Sequence, residues 1–124
     1  MLKVVEMQGK GRGVITDRAI AKGETIERAP VLFIPKEQWG AVEQTVFYHY
    51  CYSWGSESQH AALALGFGSL YNHSYDPAAV YVKHMADLEV EYVALRDIAA
   101  GEEVTINYNG DPADHQPMWF GDVL

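Results

Sequence analysis

The sequence predicts a mostly-β fold of small sheets joined by tight turns, and three observations carry that expectation. Eleven glycines and eight tyrosines among 124 residues supply turn formers and strand formers together. Short runs rich in β-branched and aromatic residues recur along the chain, each closed by a glycine or proline turn signal. One corner also occurs twice: Arg18-Ala19-Ile20-Ala21-Lys22-Gly23-Glu24 is echoed by Arg96-Asp97-Ile98-Ala99-Ala100-Gly101-Glu102. In both, a strand end runs into a glycine that tolerates positive φ and then into a new strand. Two copies are too few for a solenoid, so the repeat marks a reused corner.

Taken in order, residues 2–7 read as a strand, 8–13 as a turn holding three glycines, and 14–16 as a second strand. Residues 25–34 are extended and end at Pro35. Over 36–54 the period changes: Trp39, Val42, Val46 and Tyr50 fall at helical spacing, predicting one amphipathic helix after the proline. A loop follows at 55–59. Residues 61–70 read as a short helix or a buried irregular segment, because Gly66 and Gly68 argue against a long helix. Residues 80–85 and 88–95 form a predicted hairpin around Ala86-Asp87, and 104–108 the last strand. The turn-rich tail ends on Met118-Trp119-Phe120, and no linker divides the chain, so a single domain over 1–124 is expected.

Composition narrows the function. A formal charge of −8 argues against a direct nucleic-acid binder, which works by neutralising phosphates. It suits a cationic partner, whose local concentration an acidic surface raises. The lone Cys51 excludes an intrachain disulfide and any multi-cysteine zinc site. No pair among His49, His60, His73, His84 and His115 has the helical spacing of a metal pair, so no metal is expected. No apolar run approaches the ~20 residues of a membrane span, and the start lacks a signal-peptide core. The expectation is a cytoplasmic protein without a membrane partner.

Three motifs remain. Gly11-Arg12-Gly13 is by itself a tight turn, and with Thr16 following it does not complete a dinucleotide fingerprint. Its functional reading is that backbone amides can approach a ligand's carboxylate where side chains are missing. Asn72-His73-Ser74 has the form of a glycosylation sequon or of an Asn-capped turn. Gly101-Glu102-Glu103-Val104-Thr105-Ile106-Asn107-Tyr108 is an alternating strand that ends on a tyrosine.

In this order and spacing, the three motifs resemble the SET family across almost the whole chain. The opening Gly-x-Gly and Lys-Gly-Glu corner match residues 11–26, the Asn-His-Ser motif is residues 72–74, and the Gly-Glu-Glu end is 101–108. Departures are Tyr75 where Cys is common, Ala78 where Asn often follows Pro77, and Ile106-Asn107 for the frequent Phe-Asp. The resemblance implies a β-clip of small curved sheets in which the C-terminal segment forms a pseudoknot and brings Asn72-His73 beside Tyr108. It implies a stand-alone lysine methyltransferase using S-adenosylmethionine, with a basic protein or peptide carrying lysine as substrate. Gly11, Arg12 and Gly13 would hold the methionine part of the cofactor, Asn72 and His73 its amino group and adenine. Trp119 would complete the adenine pocket or the channel, and Tyr108 would be the catalytic residue. A non-catalytic SET-fold binding module and transfer to a non-lysine acceptor are the alternatives. A domain this short also has an open face that a homodimer would shelter.

Such a reaction needs little covalent help. A sulfonium methyl is already activated, so positioning a neutral amine in line with it is the main task, a term reaching roughly 7–11 kcal/mol at the extreme. A free lysine titrates near ~10.4 and must lose its proton first. Repulsion by the sulfonium and desolvation both favour that loss. Tyr108 can serve by orienting the amine or by accepting its proton, and the sequence leaves both open.

Overall fold

The computed structural model describes residues 1–55, 57 and 59–117. Its strands in chain order are β1 (Leu2–Met7), β2 (Gly11–Thr16), β3 (Thr25–Ile34), β4 (Cys51–Trp54), β5 (His60–Ala64), β6 (Asn72–His73), β7 (Ala79–His84), β8 (Glu89–Ala94) and β9 (Thr105–Ile106). They form an antiparallel hairpin β1-β2, a five-stranded antiparallel sheet ordered β4-β5-β3-β8-β7, and a two-stranded parallel pair β6-β9. The mostly-β expectation and the hairpin around Ala86-Asp87 are both observed.

β8 shows the physics of the main sheet. Val90, Tyr92 and Ala94 alternate inward and are buried, while the residues between them are partly open, as a strand with one face on the core requires. With Ala29, Ala62, Ala64 and Ala79 they form a core with many small residues at close approach. The sheet curls until its edge strands touch. Lys83 Nζ on β7 donates to Ser53 Oγ on β4 at 2.9 Å, and the Tyr52 and Tyr81 rings meet edge-on at 5.1 Å.

The repeated corners face each other. Ile20 and Ile98 exchange both backbone hydrogen bonds at 2.8 Å. In one corner Glu24 accepts the Ala21 amide and pairs with Arg18; in the other Glu102 accepts the Ala99 amide and pairs with Arg96. Gly23 and Gly101 take φ of +86° and +88°, the left-handed conformation that glycine enters without steric cost.

Two elements differ from expectation. The segment 36–54 holds only a four-residue α-helix, α1 (Trp39–Val42), between the 3-10 turns Lys36–Gln38 and Val46–His49, and it ends in β4. None of these helical turns buries a residue, so the apolar spacing of Trp39, Val42 and Val46 meets no core to pack against. Gly40 lowers helix propensity, and Thr45 interrupts by accepting the Phe47 amide as a cap. The segment 61–70 begins as strand β5, because its small alanines fit between β3 and β4. Among the described residues, no helix is long and apolar enough to cross a membrane.

Candidate active site

Strand pairing brings the three motifs together. β6 and β9 run parallel with Asn72 opposite Thr105 and His73 opposite Ile106. The Tyr108 amide then donates to His73 Nδ1 at 3.0 Å. On the other flank, the Val104 amide donates to the Val14 carbonyl at 2.8 Å and the Gly101 amide to the Thr16 carbonyl at 2.7 Å. This lays the β1-β2 hairpin beside the Gly-Glu-Glu segment. The contact between Asn72-His73 and Tyr108 that the resemblance implies is therefore present.

The Asn72 side chain is held at two points. Its Nδ2 donates to the Arg12 carbonyl at 2.9 Å and to Glu103 Oε2 at 2.8 Å. The other carboxylate oxygen, Glu103 Oε1, pairs with Lys10 Nζ at 2.7 Å, with the Glu103 side chain only 12% exposed. Both amide hydrogens of Asn72 are thus committed, which leaves its Oδ1 as an acceptor for an ammonium group. Gly13 permits this packing. A Cβ there would lie 2.9 Å from Asn72 Nδ2, 2.8 Å from Glu103 Oε2 and 2.2 Å from Met7 Sδ.

Tyr108 stands between two cavities. Lys10, Gly11, Arg12, Tyr50, Asn72 and Tyr108 line one of about 380 Å3. Tyr48, Tyr50, Tyr52, Tyr71, Tyr81 and Tyr108 line the other, of about 340 Å3. The Tyr108 hydroxyl donates to the Tyr71 carbonyl at 2.7 Å, and Tyr81 donates to the Tyr108 carbonyl at 3.1 Å. Although Tyr108 is 36% exposed, burial around its hydroxyl, helped by the nearby Tyr50 and Glu103, pushes its phenol up to about 12. It stays a neutral donor and acceptor at physiological pH. Tyr52 spends its hydroxyl on the Gly68 carbonyl and on Tyr92, each at 2.7 Å.

His73 lies behind this surface. It is 3% exposed, and desolvation lowers its pKa below the ordinary 6.5. With Nδ1 accepting from Tyr108, the neutral ring carries its proton on Nε2. The departures from the family pattern also find their reasons here. Tyr75 packs edge-on over His73 with centroids 4.4 Å apart and donates to the Gln116 carbonyl at 2.8 Å. Ala78 is fully buried, and its amide donates to Thr105 Oγ1 at 3.1 Å. Asn107 is buried and uses both ends of its amide: Nδ2 donates to the Asp114 carbonyl at 2.7 Å, and Oδ1 accepts the Asn109 amide at 3.0 Å. An ionised Asp has no hydrogen for the first of these bonds.

Of the residues singled out from the sequence, Gly11, Arg12, Asn72 and Tyr108 share one cavity. Gly13 and His73 are buried beside it and shape it from behind. Trp119 lies outside the described residues. Sequence reasoning missed Lys10, Glu103, Tyr50 and Tyr71. Glu103 stands inside a quoted motif, and its acidic side chain opposite a glycine-flanked lysine was the available signal.

Comparison with known proteins places this geometry. The SET domain family model matches residues 11–109. A curated histone-lysine N-methyltransferase of Schizosaccharomyces pombe, specific for H3 lysine-37, is 36% identical over 122 residues, covering 98% of this chain and 78% of that protein. A candidate histone methyltransferase of Plasmodium falciparum superposes with a TM-score of 0.67 at 25% identity, over 90% of this chain and 99% of that one. The Chaetomium thermophilum Polycomb Repressive Complex 2 with H3K27me3 and H3K27M gives 0.73 at 22% identity over 90% of this chain and 14% of that chain, a likeness of fold. The chain belongs to the SET domain family. Its activity is methyl transfer to the lysine of a protein substrate, and enzymes of this family take the methyl group from S-adenosylmethionine.

Proposed function

We propose that the cavity bounded by Gly11, Arg12, Asn72 and Tyr108 holds S-adenosylmethionine, and that the tyrosine-lined cavity admits the substrate lysine. The observation that carries this reading is the position of Tyr108, which lines both cavities. The donor set fits the cofactor. Asn72 Oδ1 is an acceptor for an α-ammonium, and Arg12 is a cation on a backbone stretch that can meet a carboxylate. When bound, S-adenosylmethionine supplies a methyl group already activated on a sulfonium centre.

The chain's own residues do the rest. Tyrosine rings wall the substrate arm, and a lysine that enters between them gives up part of its hydration, which disfavours an ammonium and favours the neutral amine. The Tyr108 hydroxyl donates its hydrogen bond to the Tyr71 carbonyl, so its oxygen lone pairs face other donors. With its phenol pushed up to about 12, it holds an amine N–H in place and does not take the lysine proton. Orientation is its role.

The substrate we propose is a lysine in a basic, extended segment of a histone-like protein. Support comes from the charge of −8 on this chain and from the histone named for the fission-yeast relative. The test incubates the purified protein with methyl-labelled S-adenosylmethionine and either recombinant histones or a cell extract, then maps labelled residues by mass spectrometry. Label on lysines of basic segments is the expected result. Label confined to non-lysine residues, or cofactor binding without transfer to any protein, overturns it.

A further inference from the structure

Glu27 lies on β3, outside every motif that defines the site, yet its carboxylate is tied to the residue that holds Tyr108. A bulge between Thr25 and Glu27 in the β3-β8 ladder sets Glu27 opposite Tyr92. Bulges re-aim side chains in this way. From there Oε1 accepts the Tyr71 hydroxyl at 2.6 Å, and Oε2 accepts the Phe67 amide at 3.0 Å. Gly66 admits the carboxylate: its φ is +59°, and a Cβ on it would sit 2.3 Å from Glu27 Oε2. One side chain therefore fastens both ends of the 66–71 segment.

Tyr71 carries that anchorage to the site. Its ring is buried against Tyr92 with centroids 4.5 Å apart, while its own carbonyl accepts the Tyr108 hydroxyl at 2.7 Å. The next residue, Asn72, is fixed by Arg12 and Glu103. The carbonyl at 71 thus sits between two anchors, Glu27 on one side and the Asn72 cluster on the other. Losing the first lets the peptide plane turn, and the acceptor that aims the Tyr108 hydroxyl turns with it.

We infer that Glu27 is a positioning residue for methyl transfer, acting through the Tyr71 hydroxyl to fix the carbonyl that orients Tyr108. The inference rests on the proposed role of Tyr108. A displaced acceptor lowers the rate of the chemical step without touching the groups that bind the cofactor. Glu27 shares no cavity with Gly11, Arg12 or Asn72.

Two variants test it. Glu27→Gln puts an amide N–H₂ against one of two donors, and Tyr71→Phe deletes the hydroxyl while keeping the ring and the carbonyl. Each is expected to lower kcat about tenfold, the loss expected for one charge-assisted hydrogen bond. Cofactor affinity by calorimetry stays at the wild-type value. The double variant falls no further than the worse single one, because both act on one chain of contacts. In the cofactor-free protein with carbon-13-labelled tyrosine, the ring Cζ resonance of Tyr108 shifts in both. An unmoved Tyr108 resonance, or wild-type kcat in Tyr71→Phe, overturns the inference. So does a loss of cofactor affinity that matches the loss in kcat. If Glu27→Gln does not fold, Tyr71→Phe carries the test alone. If the wild-type protein transfers no methyl group, the functional reading fails, and the Tyr108 resonance still decides whether the anchor exists.

Discussion

His73 accepts the backbone amide of Tyr108 on Nδ1 at 3.0 Å, so a buried imidazole holds the chain at the residue whose phenol lines both cavities. The bond requires a neutral ring, since a protonated Nδ1 would point a hydrogen at another N–H.

Stability should therefore depend on pH through His73. Its folded pKa is depressed below the ordinary 6.5 by burial, so the unfolded chain takes up a proton that the folded one refuses. The contribution is whole above the ordinary value and is lost as pH falls through it towards the lower folded value. His73→Asn keeps an acceptor near the Nδ1 position and cannot titrate. It should flatten the fall of the unfolding midpoint on acidification, at a cost at neutral pH of about 1 kcal/mol, or roughly 4 °C for a chain of this size. Scanning calorimetry on both sides of the ordinary histidine range checks this; identical slopes in variant and wild type would remove His73 from the account.

Tyr108→Phe should lower kcat by roughly a hundredfold or more, the usual loss for a positioned group at the reacting atoms. Cofactor affinity should change little, because Asn72 and the Gly11-Arg12 backbone are untouched. The pH profile adds a second reading. With the phenol at about 12, Tyr108 contributes no inflection near neutrality. An inflection below about pH 9 that vanished in Tyr108→Phe would make the phenolate a base and refute the orienting role.

How much of this was legible beforehand follows from range. The corners at Ile20 and Ile98 were readable because each is a local turn with its own glycine, and the echo hinted that the fold uses them alike. That they bond to each other was not readable. The β6-β9 pair has two residues per strand and joins segments about thirty apart in parallel, which leaves no periodic trace. Only the family resemblance placed Asn72 beside Tyr108. A helix within 36–54 is readable from the spacing of Trp39, Val42 and Val46, but its short extent is not, because burial, which decides how far such a helix runs, is a tertiary property. Glu103 was visible as a motif letter; its link to Lys10 and Asn72 depends on a carboxylate reached from another sheet.

Asn72→Ala should weaken cofactor binding about tenfold, since it deletes the Oδ1 acceptor and frees the Arg12 carbonyl and Glu103. Glu103→Gln should weaken it less, by disturbing Asn72 and Lys10 while the amide itself remains. The two changes share a hydrogen bond, so the double variant should lose less than the two losses added together. Isothermal titration of all three with S-adenosylmethionine checks this. Strict additivity would mean that Glu103 does not act through Asn72.

Gly13→Ala should damage the same site from behind. The added methyl would lie 2.2 Å from Met7 Sδ, 2.8 Å from Glu103 Oε2 and 2.9 Å from Asn72 Nδ2, all inside contact distance. The Met7 thioether is the end of a flexible side chain and can swing away. Asn72 and Glu103 cannot, because each is fixed by the other and by one further partner, Arg12 for Asn72 and Lys10 for Glu103. Overpacking of this kind costs about 1–3 kcal/mol, and here the displaced atoms are those that aim Oδ1 into the proposed cofactor cavity. The expected outcome is a lower unfolding midpoint together with a weaker S-adenosylmethionine affinity. Met7→Ala added to Gly13→Ala should recover part of the stability and none of the affinity. Recovery of both would trace the whole defect to the Met7 contact and leave Asn72 undisturbed.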